Sequence, residues 1–304
     1  MNPNDLLHRR GSLAADGLSL LLTPERAGWA YSGLRVLRLV AGEQYVLHTD
    51  DEEFAILPLS GSATVEVESF RFELDGRDDV FCRVTDWVYA PRDAEVRISS
   101  SVGCEIALPS ARAVRRFDPA YLAAGDVAVD LRGAGPATRQ VTNFMSPDRF
   151  DGADKLNCCE VLTPDGNWSS YPPHRHDGAG DCKADNEEIY YFRIGSTTHA
   201  GYAPDGFAQH RTYTVAGLHD EIFDVNVAIY DGDVFCVPAG YHGPCIAAPG
   251  YPLYYLNVLA GPAPQRTMAF CDDPLHHWVR DTWADMPLDP RCPMTNAQGR
   301  VIHD

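Results

Sequence analysis

Short segments in which apolar and polar residues alternate recur along this chain, separated by Gly, Pro or Asp residues. The clearest alternation lies at residues 35–40, 63–68, 94–98 and 254–259. A period of two residues is typical of a β-strand with one buried face, and no part of the sequence sustains a helical period. The 25 glycines and 22 prolines supply the turns that many short strands require. The pattern therefore predicts an all-β fold.

A group of possible metal ligands lies in the second half of the chain. His174 and His176 are separated by one residue, so a strand would place both imidazoles on one face. Glu188 could join them from another strand, and its neighbour Glu187 would then point away. Imidazole and carboxylate ligands suit Zn, Mn, Fe, Ni or Co and leave coordination positions open for a substrate. The segment predicts a site for one divalent metal ion of undetermined identity.

The spacing of glycines and a proline around these ligands resembles the cupin pattern. Six residues separate Glu188 from Gly195, which selects Glu188 rather than Glu187 as the ligand, and His242 follows a Pro-x-Gly turn that begins at Pro238. The resemblance implies that His174, His176, Glu188 and His242 bind one metal inside a barrel. Eleven residues separate His176 from Glu188, more than cupins usually have, so residues 177–186 are expected to form a loop over the site.

A degenerate copy of the same pattern occurs in the first half of the chain. Gly42 is followed by His48, and Asp50 and Phe54 stand where the second His and the Glu would be expected. The turn at Pro91 corresponds to the later one at Pro238. The repeat indicates a bicupin, that is, two tandem cupin barrels of the double-stranded β-helix or jelly-roll type. His48 is expected to be a surface residue, and the first barrel is expected to hold no metal.

The predicted domains follow from this repeat. Residues 25–132 form the N-terminal barrel with the degenerate site, and residues 133–285 form the C-terminal barrel with the metal site. A Gly-rich stretch at residues 132–136 is interpreted as the linker. Residues 286–304 form a C-terminal extension without an assigned role.

Charge and composition exclude several classes of protein. The formal net charge of −18 argues against nucleic-acid binding, which requires a basic face. No apolar run is long enough to span a membrane, and Met1–Asp5 lacks the basic and apolar regions of a secretory signal. The nine cysteines include no Cys-x-x-Cys pair, so reduced thiols and a cytoplasmic location are expected. The absence of a Gly-x-Gly-x-x-Gly motif argues against a nicotinamide or flavin cofactor.

Longer motifs resemble the bacterial 5-deoxy-glucuronate isomerases of myo-inositol catabolism. The resemblance spans about residues 31–283, and it is carried by residues 132–135, 138–141, 166–174, 187–191, 237–242, 250–258, 272–274 and Trp278. It implies conversion of 5-deoxy-D-glucuronate, an aldehyde acid, into the ketone 2-deoxy-5-keto-D-gluconate (5-dehydro-2-deoxy-D-gluconate). Such an aldose–ketose isomerisation proceeds through an enediol or a hydride shift, and a divalent metal can assist either route.

Several residues are assigned roles in this reaction. Arg211 is expected to hold the substrate carboxylate, with Gln209 and Tyr213 on the same strand face, unless Arg211 is a surface residue paired with one of the 43 acidic residues. Alternation from Glu188 points Tyr190 and Phe192 into the barrel, which makes Tyr190 a proton carrier, a hydroxyl donor or a packing residue. The same alternation points Arg193 away, which leaves it as a second choice for the carboxylate. Tyr171 is expected to wall the site, whereas His199 and His210 are expected to be solvated loop residues.

Two alternatives stay open from the sequence. One is another metal-dependent cupin enzyme, such as an Fe(II) dioxygenase, which would consume oxygen. The other is a non-catalytic sugar-binding cupin, although no DNA-binding helical region accompanies the barrels. The expected partner is a small sugar acid, and a homo-oligomer is compatible with either interpretation.

Overall fold

The computed structural model describes residues 6–303, so the expectations for Met1–Asp5 and for Asp304 lie outside the described residues. Strands dominate, as the alternation predicts. The strands of the first half are β1 (Leu7–His8), β2 (Leu20–Leu22), β3 (Ser32–Leu39), β4 (Gln44–His48), β5 (Glu52–Val67), β6 (Phe70–Arg77), β7 (Trp87–Ala90), β8 (Glu95–Ser99), β9 (Cys104–Arg112) and β10 (Ala120–Leu122). The next strands are β11 (Ala128–Arg132), β12 (Arg139–Met145), β13 (Asn157–Thr163), β14 (Trp168–Ser169), β15 (His174–Arg175), β16 (Glu187–Ile194) and β17 (Phe207–Tyr213). The last are β18 (Asp224–Tyr230), β19 (Val234–Val237), β20 (Tyr241–Ala247), β21 (Leu253–Ala260), β22 (Cys271–Asp272), β23 (Thr295–Asn296) and β24 (Gly299–Arg300).

Helical structure is confined to short segments. The α-helix α1 (Pro24–Ala27) is four residues long, and Thr23 caps it by accepting a hydrogen bond from the Arg26 N–H. The 3₁₀ segments are Ala124–Asp126, Gly135–Ala137 and His277–Asp285. Among residues 6–303, no helix has both the length and the apolar character needed to cross a membrane.

Strand pairing divides most of the chain into two halves. Strands β2 to β10 form one nine-stranded sheet, in which the long β5 pairs with β6, β7, β8 and β9. The second half contains a seven-stranded sheet, in the order β1-β19-β16-β21-β13-β12-β11, and a six-stranded sheet built from β18, β17, β20, β15 and β22 with β14. The β23–β24 hairpin lies in the C-terminal extension.

Alternation along the strands fills three separate cores. On β16, Tyr190 and Phe192 point into the space between the two sheets of the second half, and Ile189 points the opposite way. On β3, Val36 shares the core of Ile189, whereas Leu37 lies inside the first half. The middle core therefore joins the two halves through the outer faces of both large sheets. Strands β3 and β16 are buried on both sides because the apolar residues of each face pack into a different core.

The sheet pairing also bears on the predicted domain boundaries. Strand β11 pairs with β12 in the seven-stranded sheet, so residues 128–132 hydrogen-bond with the second half of the chain. The division at residue 132 stays a prediction. In the C-terminal extension, the Thr295 N–H donates to Gln140 in the second half, and Arg300 donates to the Phe81 carbonyl in the first. The extension thus contacts both halves.

The expectation that all nine cysteines are reduced thiols is wrong for one pair. Cys182 and Cys271 form a disulfide between residues 89 positions apart, with their Cα atoms 5.9 Å apart. Cys271 lies opposite Arg175 in the β15–β22 pair, and Cys182 lies in the loop that follows β15. The pairing arises because this loop folds back over β22, which the linear spacing of cysteines does not reveal.

Candidate active site

Three strands bring the four predicted metal ligands together. His174 on β15 lies directly opposite His242 on β20 in the antiparallel ladder, and their ring centroids are 4.4 Å apart. His176 follows β15, and its ring centroid lies 4.8 Å from that of His242. One donor nitrogen from each of the three histidines lies within 4.8 Å of the others. This is the only group of three or more possible His, Cys, Asp or Glu ligands found among residues 6–303.

Glu188 completes the cluster from β16. Its Oε2 lies 3.2 Å from His176 Nε2 and 3.0 Å from His242 Nε2. Asn257 on β21 donates a hydrogen bond to Oε1 over 3.1 Å and so orients the carboxylate. The predicted set of His174, His176, Glu188 and His242 is thus assembled at one point, with a supporting residue of the kind that positions ligands in metal sites.

Glu187 points to the other side of β16, as alternation requires. Its carboxylate accepts hydrogen bonds from the backbone N–H groups of Ala30, Tyr31 and Ser32 at 2.7–2.9 Å. These contacts link β16 to the first half of the chain. The choice of Glu188 over Glu187 therefore agrees with the directions of the two side chains.

The ring orientations leave donor nitrogens facing the centre of the cluster. His176 Nδ1 lies 3.0 Å from the Asn186 carbonyl, and His174 Nδ1 lies 3.4 Å from the Pro172 carbonyl, so both Nδ1 atoms can carry the proton. His242 is fully buried, yet neither of its ring nitrogens makes a hydrogen bond with any of the described residues. Its Nε2 is close to Glu188, but without the geometry of a hydrogen bond. A buried, unsatisfied imidazole is costly, and a metal ion bound at its nitrogen would remove that cost.

Electrostatics keep two of these ligands in the forms that bind metal. Burial, with the neighbouring imidazoles of His242 and His176, lowers the pKa of His174 well below its usual value, so its ring is neutral. Burial alone would raise the pKa of Glu188, but His242 and His176 reverse the effect and lower it. For His176, burial opposes protonation, and the hydrogen bond and charge of Glu188 outweigh it, so the pKa is raised. A neutral imidazole and an ionised carboxylate are the forms that coordinate a cation.

A cavity opens beside the cluster on the inner face of the seven-stranded sheet. It is lined by Arg132, Arg139, Val141, Cys159, Val161, Ser170, His174, His176, Glu188, Tyr190, Tyr255, Asn257, Leu259, Met268, Phe270 and Arg280. The lining combines three of the four predicted ligands with an apolar wall and three guanidinium groups. Polar groups that converge in an otherwise apolar pocket are typical of a small-molecule site.

Tyr190 lies in this cavity, as alternation from Glu188 predicts. Its hydroxyl is 3.4 Å from Ser170 Oγ. Burial, reinforced by the charge of Glu188, raises the pKa of Tyr190 well above its usual value. The phenol therefore stays protonated at neutral pH and can donate a hydrogen bond into the cavity. Its role in catalysis stays a prediction.

The structure does not bring Arg211, Gln209 and Tyr213 to the cavity. On β17 the buried residues are Ala208, His210, Thr212 and Tyr213. Gln209 and Arg211 are only partly buried and alternate with Ala208, His210 and Thr212, so they lie on the opposite face. Arg211 is partly exposed and pairs with Asp224 through two hydrogen bonds of 2.9 and 2.6 Å, which is the surface interpretation that the sequence left open. The Tyr213 hydroxyl donates to Asp273.

Two further predicted substrate contacts also lie outside the cavity. Arg193 is buried between Glu105 and Asp231, at 2.8 Å from each, and it sits over the Tyr202 ring. Its charge is already neutralised, so it is not available to a substrate carboxylate. Tyr171 packs edge-on against Trp168 with ring centroids 5.5 Å apart and does not line the cavity.

The expectation that His210 is a solvated loop residue is wrong. It is a fully buried strand residue packed against Phe235 and Tyr190, whereas His199 is exposed as expected. Sequence reasoning also missed Asn257 and the three cavity arginines. For Arg139, one signal was present: it lies in segment 138–141, which carries part of the resemblance to the isomerase family.

In the first half, the corresponding positions carry no comparable cluster among the described residues. Phe54 is fully buried in the apolar core of that half, and His48 is exposed. The repeated turn is preserved, because Asp93 and Gly240 both adopt positive φ, at 55° and 86°. Phe54 fills with an aromatic ring the position that Glu188 occupies in the second half.

Comparisons with known proteins agree with this architecture. The family model described as the KduI/IolB family matches residues 6–279. Similar curated proteins include the 5-deoxy-glucuronate isomerase of Geobacillus thermodenitrificans, 37% identical over 271 residues, which are 88% of this chain and 93% of that protein. The enzyme of the same name from Bacillus subtilis strain 168 is 33% identical over 276 residues, covering 87% of this chain and 94% of the relative.

Solved structures are also similar to this chain. The crystal structure of an IolB-like protein from Salmonella typhimurium LT2 matches with a TM-score of 0.79 and 32% identity, over 90% of this chain and 98% of that one. An oxalate decarboxylase from Lactobacillus farciminis matches with a TM-score of 0.60 over 86% of this chain and 87% of its own, at 14% identity, and so shows the fold alone. The all-β cupin fold predicted from the sequence is confirmed. The chain belongs to the KduI/IolB family.

Proposed function

We propose that this chain is a metal-dependent isomerase that converts 5-deoxy-D-glucuronate into 2-deoxy-5-keto-D-gluconate. The relatives that carry this name match most of the chain, and the reaction needs a site that can grip a carbonyl and its neighbouring hydroxyl. The observation that carries the proposal is the cluster of three histidines and one glutamate, in which the buried His242 has no hydrogen-bonding partner in the described part of the chain.

His174, His176, Glu188 and His242 would hold one divalent ion, of which Zn, Mn, Fe, Ni and Co all suit the ligand set. When bound, the ion supplies Lewis acidity toward the oxygen atoms of the substrate. Because the isomerisation moves hydrogen within one molecule, it requires neither a nicotinamide nor a flavin.

The remaining cavity residues would bind and orient the sugar acid. Tyr190 would donate its phenolic proton in a hydrogen bond to a substrate oxygen, since its high pKa keeps it protonated. Asn257 would hold Glu188 in place, and the apolar wall of Val141, Val161 and Leu259 would exclude water. Water exclusion protects a reactive enediol and strengthens the polar contacts in the cavity.

The chain offers a matched pair of variants for the test. Purified, metal-loaded protein should convert 5-deoxy-glucuronate into the keto acid without oxygen or nicotinamide, as followed by NMR. Glu188→Gln should lower kcat/KM by more than about 100-fold and reduce the bound metal, since changes around metal ligands typically cost 10- to 100-fold. Glu187→Gln alters the same chemical group one residue away and should retain metal and turnover.

Other results would exclude the proposal. Oxygen consumption with the substrate would indicate a dioxygenase. Substrate binding without turnover at full metal loading would indicate a sugar-binding cupin. Equal losses in Glu187→Gln and Glu188→Gln would show that the cluster has no special part in the reaction.

A further inference from the structure

Arg139 is a buried cation without an acidic partner. Only 8% of its surface is exposed, and among residues 6–303 no carboxylate lies within ion-pairing distance of it. Within this part of the chain its side chain makes one hydrogen bond, which Nη1 donates to the Ala137 carbonyl over 3.1 Å. The guanidinium otherwise borders the Trp283 ring and the cavity. A guanidinium has five N–H donors and stays charged, so this environment leaves most of its capacity unused.

The other buried arginines among the described residues, Arg77, Arg175 and Arg193, each pair with a carboxylate, which makes Arg139 an exception. Arg193 pairs with Glu105 and Asp231, and Arg77 pairs with Glu160 and donates to the Pro58 carbonyl. The half-buried Arg266 donates to three backbone carbonyls. Structural arginines in this fold are therefore recognised by their partners. Arg139 lacks such partners and faces a cavity.

A second unpaired guanidinium stands directly opposite. Arg132 on β11 is the cross-strand partner of Arg139 on β12, and this exposed residue lines the same cavity without an ion pair among the described residues. Like charges directly opposite on antiparallel strands are destabilising. Burial, with the charges of Arg132 and Arg280, lowers the pKa of Arg139 to about 10, which still leaves it charged at neutral pH. Arg280 is neutralised by Asp272 at 2.5 and 2.7 Å.

The distribution of charge over the protein also favours an anion site in this cavity. The chain carries a formal charge of −18, yet this cavity gathers three arginines and one carboxylate, Glu188, which is already held by His176 and Asn257. The buried guanidinium of Arg139 and the exposed one of Arg132 have no acidic partner among the described residues, and they create a site for an anion on the edge strand β11 and its neighbour β12. A planar guanidinium fork matches a carboxylate in particular.

We infer that Arg139, with Arg132 opposite it, binds the carboxylate of the sugar acid while the carbonyl end of the substrate faces the His and Glu cluster. This assignment rests on the proposed function, because it identifies the anion as a uronate. It places the two ends of the substrate at two different parts of one cavity. Arg139 thereby determines specificity for an acid over a neutral sugar, the role that the sequence had suggested for Arg211.

The test compares Arg139→Met with the native protein on two substrates. One substrate is 5-deoxy-glucuronate, and the other is its neutral counterpart with a hydroxymethyl group in place of the carboxylate. Removal of a buried charge partner should lower kcat/KM for the acid by about 100-fold, mainly through KM, and leave the neutral sugar almost unaffected. Arg139→Lys keeps the charge without the fork and should fall between the two. Arg211→Met, the surface control, should leave both substrates unchanged.

Stability separates this role from a structural one. Removing a buried, unpaired cation should leave the melting temperature of Arg139→Met unchanged or higher, because the cost of its desolvation disappears. A lower melting temperature with equal losses on both substrates would assign Arg139 to structure and overturn the inference. Unchanged kinetics on the acid would overturn it as well.

Binding of D-glucuronate, measured by calorimetry, distinguishes failure of this inference from failure of the proposed function. If D-glucuronate binds the native protein but not Arg139→Met, the anion site stands even without turnover of 5-deoxy-glucuronate. If the native protein turns over 5-deoxy-glucuronate and Arg139→Met is equally active, the isomerase stands and the anion site is excluded.

Discussion

A buried histidine beside the cluster illustrates how the environment of one residue sets its charge. His210 is completely buried, with Nε2 2.8 Å from Thr212 Oγ1 and Nδ1 3.1 Å from Cys245 Sγ. Burial, together with the nearby His242, lowers the pKa of His210 to about 3, against the opposing charge of Glu188. The ring therefore stays neutral in the folded protein at neutral and mildly acidic pH.

This shift predicts how stability depends on pH. Below about pH 6.5 the unfolded chain protonates His210 and the folded chain does not, so the free energy of unfolding falls as pH falls toward 3. One such group contributes up to about 1.4 kcal/mol per pH unit. Urea unfolding gives the free energy of unfolding at pH 7 and at pH 5. Its decrease between these two pH values should be about 2 kcal/mol smaller in His210→Gln than in the native protein. His199→Gln, which changes an exposed histidine, should behave like the native protein. If His210→Gln loses as much stability between pH 7 and pH 5 as the native protein does, the lowered pKa of His210 is contradicted.

Strand alternation predicted the direction of individual side chains correctly when one residue of the strand was already known to point inward. On β16, the position of Glu188 correctly set Tyr190 and Phe192 inward and Glu187 and Arg193 outward. On β17 no residue fixed the phase, and the choice of Arg211 as the inward residue was wrong. The register also shifts between His210 and Thr212, an irregularity that the sequence does not announce. Arg139 was not assigned because its missing partner is visible only in three dimensions.

Among the elements, the loop at residues 177–186 departs most from the cupin pattern, and it is tied down at several points. Its ends meet where the Asn186 N–H donates to the His176 carbonyl over 2.7 Å. Asp177 accepts hydrogen bonds from Gly240 N and His219 Nε2 at 2.7 and 2.9 Å. The loop thereby links the strand that carries His174 to the turn before His242.

The disulfide adds a covalent tie to this loop and predicts sensitivity to reduction. Cys182–Cys271 closes a segment of 89 residues, and loss of such a link typically lowers the free energy of unfolding by about 2–5 kcal/mol. Reductant should therefore lower the melting temperature of the native protein. The double variant Cys182→Ser with Cys271→Ser should start lower and show no further change with reductant. Equal stability of the native protein with and without reductant would show that the link contributes nothing.

Elements that depend on neighbouring residues could be predicted from the sequence, whereas contacts between distant segments could not. Strands such as β3, β5, β8 and β21 were predicted because alternation is local, and the observed strands contain or overlap the predicted segments. The disulfide was missed because it depends on how a loop folds over β22, far away in the sequence. The existence of the loop was predicted from spacing, but its contacts were not.

At the scale of the whole molecule, one half holds the cluster and the other supports it. The first half binds Glu187 through three backbone N–H groups, and Glu53 accepts hydrogen bonds from the N–H groups of Asp154, Lys155 and Leu156 in the second. The shared apolar core lies between these contacts. The internal repeat predicted this arrangement of one intact and one degenerate copy, whereas the way the halves pack together required the structure.

A single metal-dependent isomerase site is tested most directly by titrating chelated protein with a divalent ion while metal content and turnover are both measured. Turnover of 5-deoxy-glucuronate should be absent at the start, rise in proportion to bound metal and level off at one ion per chain. Turnover by the metal-free protein, a requirement for a second ion, or no turnover at full loading with every suitable metal would contradict the assignment of the cluster as the catalytic site.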